Sequence, residues 1–176
     1  MGNKCSRFYQ TKNIKLREMT EEDKKFMRRA IELAENGMDT NTGGPFGAVI
    51  VKNGEIIAEG CNKVTSQNDP TAHAEVDAIR TACKKLNTFQ LEDCIIYTSC
   101  EPCPMCLGAI YWARPKKVFY GCTREDAADI EFDDQLIYDE IAVGISNRQI
   151  EFTNVLRDEA LKVFKKWDSK SDRTEY

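Results

Sequence analysis

The chain has 176 residues, 41% hydrophobic and 31% charged, which is enough to bury a sizeable core as one globular domain. No apolar run approaches the ~18 residues a membrane span needs, and no signal-peptide core follows Met1, so a cytoplasmic rather than a secreted or spanning protein is expected. The 25 basic and 29 acidic side chains leave a formal charge of −4, which argues against an extended nucleic-acid surface.

The charge is unevenly spread. Residues 1–18 carry Lys4, Arg7, Lys12, Lys15 and Arg17 against Glu18 alone, while the remainder holds 20 basic and 28 acidic side chains. The first 18 residues therefore read as a basic extension, with the main domain running over 19–176. Thr20-Glu21-Glu22-Asp23 is a capping-box-like helix start, followed by an apolar stripe at Phe26, Met27, Ala30, Ile31 and Leu33 and a stop at Asn36-Gly37. Two β-rich runs, 46–51 and 55–59, flank Lys52-Asn53-Gly54, a strong hairpin signal. Pro70-Thr71 is expected to open a second helix carrying His73, Glu75, Ala78 and Ile79. A short strand over 94–98, a helix from Pro102 through Trp112, a strand over 117–120 and a helix over 134–141 follow. A weaker strand at 150–155, a late amphipathic helix at 156–167 and a polar tail from Ser169 complete the chain. Strands alternating with helices imply a three-layer α/β/α domain.

Eight cysteines in a chain of this length, with no export signal, read as reduced thiols rather than a disulfide framework. Most of them, Cys5, Cys61, Cys83, Cys94 and Cys122 included, read as non-catalytic. Cys100, Cys103 and Cys106 cluster, and the single histidine is His73. A Cys-x-x-Cys pair at a helix start can aim two sulfurs at one ion, and the helix N-terminus lowers thiol pKa toward the thiolate. With His73 the set makes three zinc ligands and leaves a fourth position open, as in catalytic sites. Cys100 as fourth ligand would instead close the site and make it structural. Glu75, two residues past His73, is placed to lie beside the metal without coordinating it and to move protons. His-Ala-Glu and Pro-Cys-Pro-Met-Cys together match the zinc deaminase pattern H-x-E…P-C-x-x-C.

Four stretches carry a wider resemblance: G-G-P-F-G-A-V-I-V at 43–51, N-D-P-T-A-H-A-E-V at 68–76, T-S-C-E-P-C-P-M-C-L-G-A-I-Y-W-A-R-P at 98–115, and F-D-D at 132–134. On these the chain resembles the cytidine deaminase superfamily and, within it, the guanine deaminases. The resemblance implies a cytidine deaminase-like fold with a mixed central sheet, one zinc ion per chain, and hydrolysis of guanine to xanthine and ammonia. It places Asp134 against the adjacent N1–H and 2-amino donors of guanine, with a share in proton movement. A capping role for Asp133 and Asp134 at the following helix is the alternative. It also points to Asn62 as an amide contact and to Tyr176 as part of a substrate-covering tail. Phe46 is placed either to stack on the base or to pack in the core, and Trp112 in the core or at the rim. A homodimer, with the C-terminal segment exchanged between subunits, is implied as well. Guanosine, or adenosine in tRNA, remains the alternative substrate, and a non-enzymatic lipid-anchored binding protein with structural zinc the alternative class.

Met1-Gly2-Asn3-Lys4-Cys5-Ser6 fits the N-myristoylation pattern at Gly2. Cys5 and the basic stretch behind it supply the second signal that stable membrane attachment needs, in a eukaryotic host.

Overall fold

A computed structural model describes residues 19–175. Gly2, Cys5 and Tyr176 lie outside the described residues.

Helix α1 (Glu21–Asp39) begins with a complete capping box: the Thr20 hydroxyl accepts from the Asp23 N–H, and the Asp23 carboxylate accepts from the Thr20 N–H. Strands β1 (Gly47–Lys52) and β2 (Glu55–Cys61) form the expected hairpin. Asn53 (φ 53°) and Gly54 (φ 81°) both occupy the left-handed region that a two-residue turn between twisted strands requires. The short α2 (Val64–Gln67) leads to α3 (Ala74–Leu86), β3 (Cys94–Cys100), α4 (Pro104–Ala113) and β4 (Lys117–Cys122). Then follow α5 (Arg124–Ala128), α6 (Gln135–Ala142), a 3₁₀ turn at Ile145–Asn147, and α7 (Arg157–Asp168).

The four strands form one sheet in the order β2-β1-β3-β4, antiparallel except for the parallel β3–β4 pair, so the central sheet is mixed as expected. Alternation along the strands divides the core in two. Ala48, Ile50 and Ile96 face Ala74, Ala78, Ala82 and Ile110 of α3 and α4. Val49, Val51 and Tyr97 face Phe26 and Ala30 of α1 on the other side. Three layers result. Tyr97 is locked on the α1 side by stacking on Phe119 (centroids 4.9 Å apart) and by a hydroxyl that donates to Asp23 Oδ1 at 2.6 Å.

Three expectations need correction. The 150–155 run is not a strand. A β-rich sequence becomes a strand only where an edge is available to pair with. This run instead follows α6, with Arg148 Nε donating to the Glu140 carbonyl and its guanidinium 5.2 Å from the Phe152 ring centroid. The helices assigned to Pro70 and Pro102 start later, at Ala74 and Pro104. Asp69 causes the first delay by accepting from the Thr71 N–H and hydroxyl, an Asx turn that holds the chain out of helix. Trp112 is not core but 64% exposed on α4.

Candidate active site

One end of the sheet gathers the functional groups. There β1 begins, β2 and β3 end, and α3 and α4 start. The later helix starts matter chemically, because they make His73 the N-cap of α3 and Cys103 the N-cap of α4, both with extended backbone. Two helix N-termini, each a partial positive charge, thus meet at the same point. Glu75 and Cys106 follow within the first turns.

His73 Nδ1 lies 3.5 Å from Cys103 Sγ and 3.5 Å from Cys106 Sγ. Zn–S and Zn–N bonds of about 2.3 and 2.0 Å at a tetrahedral angle put S and N roughly 3.5 Å apart. The donor set and its spacing therefore fit zinc, and these three ligand atoms lie within 4.8 Å of one another. Cys100 is not in this group. Its sulfur points to the Thr123 carbonyl at 3.5 Å, and burial pushes its thiol up to about 11. His73, Cys103 and Cys106 thus come together without Cys100. The neighbouring Cys106 thiol, with His73 alongside, holds the Cys103 thiol below its ordinary range. The same neighbour relation, with burial, pushes Cys106 upward.

Glu75 is 6% exposed and reaches the set from the side. Its Oε2 lies 3.4 Å from Cys106 Sγ, and its Oε1 accepts from the Thr98 hydroxyl at 3.3 Å. Burial is the main cause that raises its pKa above the ordinary carboxylate value.

His73, Glu75 and Cys103 line a cavity of about 460 Å³, a size suited to a small molecule. Gly44, Phe46, Asn62, Phe132 and Asp134 share its walls. Asn62 is nearly buried, and its Oδ1 accepts from the Gly44 and Val64 N–H groups, both at 3.2 Å. This clamp orients the amide: the oxygen is occupied, so the amide nitrogen is the end that presents donors. Gly43 permits the close approach, because a Cβ there would lie 2.4 Å from the Asn62 carbonyl oxygen. Phe46 meets Phe132 edge to face, with centroids 5.0 Å apart and rings at 89°.

Asp134 occupies the N-cap position of α6 but makes no capping bond; Asp133 does so instead, its Oδ1 accepting from the Gln135 N–H at 2.8 Å. Asp134 is thus released to face the cavity, where burial and the neighbouring Cys103 sulfur raise its pKa. Among the described residues none beyond Asp134 lines the cavity, so the tail up to Glu175 does not cover the site of its own chain. Sequence reasoning assigned no role to Phe132, Glu101 or Arg124, which also line it. Phe132 stood inside the quoted F-D-D element and Glu101 inside the quoted 98–115 stretch; Arg124 belongs to no motif.

The sequence model of the family described as "Cytidine and deoxycytidylate deaminase zinc-binding region" matches residues 20–122. The chain is 59% identical over 151 residues to guanine deaminase of Bacillus subtilis (strain 168), covering 86% of this chain and 97% of that protein. The X-ray structure of guanine deaminase from Bacillus subtilis superposes with a TM-score of 0.85 at 58% identity, over 87% of this chain and 98% of that one. A tRNA-specific adenosine deaminase of Aquifex aeolicus is 51% identical over only 76 residues, 43% of this chain and 50% of that protein. With an α/β/α fold, a His-Cys-Cys set at zinc spacing and a buried glutamate beside it, the chain belongs to the cytidine and deoxycytidylate deaminase family of zinc-binding enzymes.

Proposed function

We propose that the protein hydrolyses guanine to xanthine and ammonia. The observation that carries this reading is a buried Glu75 beside the His73-Cys103-Cys106 set, at a cavity that Asp134 and Asn62 also line. The extent of likeness to the Bacillus subtilis guanine deaminase supports it, since the likeness runs nearly the whole length of that protein.

His73, Cys103 and Cys106 would hold one zinc ion per chain, which when bound supplies the Lewis acidity that makes water nucleophilic near neutral pH. Asp134 accepts the N1–H and 2-amino donors side by side, a bidentate match that cytosine and adenine do not offer. The Asn62 amide nitrogen donates to an acceptor on the purine, and Phe46 and Phe132 form the aromatic wall. Glu75 takes a proton from the attacking water and passes it to the ring nitrogen as C2 becomes tetrahedral. It then takes the remaining proton of the new C2 hydroxyl and delivers it to the departing amine, so that the C–N bond breaks, ammonia leaves and the C2 carbonyl of xanthine forms. A structural zinc has no use for such a carboxylate, which disfavours the lipid-anchored binding protein.

A homodimer with exchanged C-terminal segments is proposed as its working form. Helices α6 and α7 bury no residue, and Val163, Phe164 and Trp167 of α7 are exposed. A groove of about 290 Å³ walled by Leu136, Ile141 and Phe152 offers apolar surface for such a helix. Tyr176 would then reach a neighbouring site, which its deletion tests. No helix of the described residues is long and apolar enough to cross a membrane. Lipidation at Gly2 and Cys5 is a proposal read from their pattern, tested by labelling with alkynyl myristate and by Gly2→Ala.

The deciding experiment is ammonia release by zinc-loaded protein offered guanine, guanosine, adenine, cytosine and a tRNA stem-loop in parallel. Guanine turnover is expected, and exclusive turnover of the stem-loop or of cytosine would overturn the substrate assignment.

A further inference from the structure

We infer that Arg124 and Tyr138 form a brace that holds Asp134 at the cavity, with Arg124 acting as a positioning residue. The inference rests on the reading of Asp134 as the carboxylate that meets the substrate.

Asp134 needs such support. It precedes α6, which buries none of its residues, and its own side chain makes no capping bond. Asp133 satisfies the helix start in its place. Nothing within α6 therefore fixes the carboxylate. Tyr138 lies one turn on, at i+4, on the same face as Asp134. These two are half-buried, whereas Gln135, Leu136 and Ile137 between them are exposed. The Tyr138 ring is covered by the Arg124 guanidinium, 5.0 Å from its centroid, within the range of cation–π attraction.

Arg124 is itself anchored. Its backbone N–H donates to Glu101 Oε2 at 3.3 Å, and its Nε donates to Glu125 Oε1 at 3.1 Å. Glu101 stands two residues before Cys103, and its own N–H donates to the Cys122 carbonyl at 2.8 Å. A continuous path thus runs from the metal-ligand loop through Glu101 and Arg124 to Tyr138 and, one helical turn back, to Asp134. The second tie on this segment, the Phe132–Phe46 contact, fixes the chain before Asp134 but not the rotation of the helix after it. The brace supplies that rotation. Catalysis is sensitive to it, because a displacement of about 1 Å in a positioned group can cost on the order of 100-fold in rate.

Steady-state guanine deamination by the zinc-loaded full chain tests the brace, with zinc content and melting temperature measured for each variant. Arg124→Ala and Tyr138→Leu are each expected to lower kcat/KM about 10- to 100-fold at unchanged zinc content. Arg124→Lys and Tyr138→Phe, which keep the cation and the ring face, are expected to recover most of the loss. In an Asp134→Asn background, Arg124→Ala should cost less than about twofold, because the group it positions is already gone. Full activity of Arg124→Ala beside an inactive Asp134→Asn would overturn the brace alone. An undiminished cost of Arg124→Ala in the Asp134→Asn background would show that Arg124 acts on the substrate directly, and would overturn the brace as well. Full activity of Asp134→Asn would instead remove the reading of Asp134 on which the brace rests.

Discussion

Asn62→Asp isolates the direction of one hydrogen bond. The amide oxygen is held by the Gly44 and Val64 N–H groups at 3.2 Å each, and a carboxylate oxygen accepts those two bonds at least as well. The local fold should therefore survive, unlike in Asn62→Ala, which strands two backbone donors. The other end of the side chain changes from a donor to an anionic acceptor facing the purine. One lost hydrogen bond contributes about 0.5–1.5 kcal/mol, and an acceptor left facing an acceptor in a desolvated pocket adds about 1–3 kcal/mol. A total near 2–4 kcal/mol corresponds to a fall in kcat/KM of roughly 30- to 700-fold. Xanthine formation followed by absorbance, together with thermal melting, measures both halves of the argument. A melting temperature close to that of the parent and a fall of this size are expected. A variant with parental kcat/KM would refute the assignment of Asn62 as a donor to substrate, and a variant that loses cooperative melting would refute the claim that the clamp tolerates a carboxylate.

Further outcomes follow from neighbouring contacts. Glu75→Gln keeps the size of the side chain and its Thr98 partner, so zinc should remain while kcat falls about 10²- to 10⁴-fold; metal analysis beside turnover checks both. Cys106→Ala removes one of three donors and should drop zinc well below one equivalent with complete loss of turnover, and stoichiometric zinc in this variant would exclude Cys106 as a ligand. Tyr97→Phe deletes the hydroxyl that meets buried Asp23 at 2.6 Å, a charge-assisted bond of about 1.5–3 kcal/mol. Its melting temperature should fall by roughly 3–12 °C, with activity at room temperature unchanged. Glu59, hydrogen-bonded through both oxygens to Arg29, has a pKa depressed below the ordinary 4.5. Its contribution is present above that value and lost as pH falls through the depressed one. Half-exposure keeps it below about 1 kcal/mol, so Arg29→Met should flatten acid unfolding curves only slightly.

The parts of this molecule legible in the sequence are those governed by local rules. Asn53-Gly54 demands a tight turn wherever it stands between strands, and Thr20 with Asp23 closes a capping box within four residues. The metal set was legible because zinc imposes spacing on its ligands, so that Cys103, Cys106 and His73 are readable without their distances. Parts that depend on a distant partner were not. The 150–155 run has strand-forming side chains but no edge to join. Pro70 and Pro102 look like helix starts until the Asp69 turn and the extended backbone at Cys103 are included. The opposite roles of Asp133 and Asp134 cannot be separated by type, since either carboxylate can cap. Arg124 meets Glu101 across 23 residues of chain, a contact that the quoted stretch holding Glu101 does not record.

The site divides according to how its residues are held. Glu75 and Cys106 are buried at the starts of α3 and α4, and Asn62 is buried at the end of β2, all packed against the sheet. Phe132, Asp134 and the helix after them belong to a segment that buries nothing. Rigid support suits the proton transfer proposed for Glu75, whose distances must be kept through several steps. The zinc-binding motif therefore resides in the packed core, while Asp134 and Phe132, proposed to meet the base together with Asn62 and Phe46, belong to a lightly held segment that begins after the residues matched by the family. That arrangement lets the substrate-facing wall change without disturbing the metal, provided something restrains it. Among the described residues the aromatic restraints on this segment include the Phe46–Phe132 contact and the Arg124–Tyr138 pair. A second subunit laying α7 over the exposed face of α6 would add what these two contacts lack. Dilution below the dimer dissociation constant should then raise KM for guanine before it lowers zinc content, and a KM independent of protein concentration across dissociation would refute that coupling.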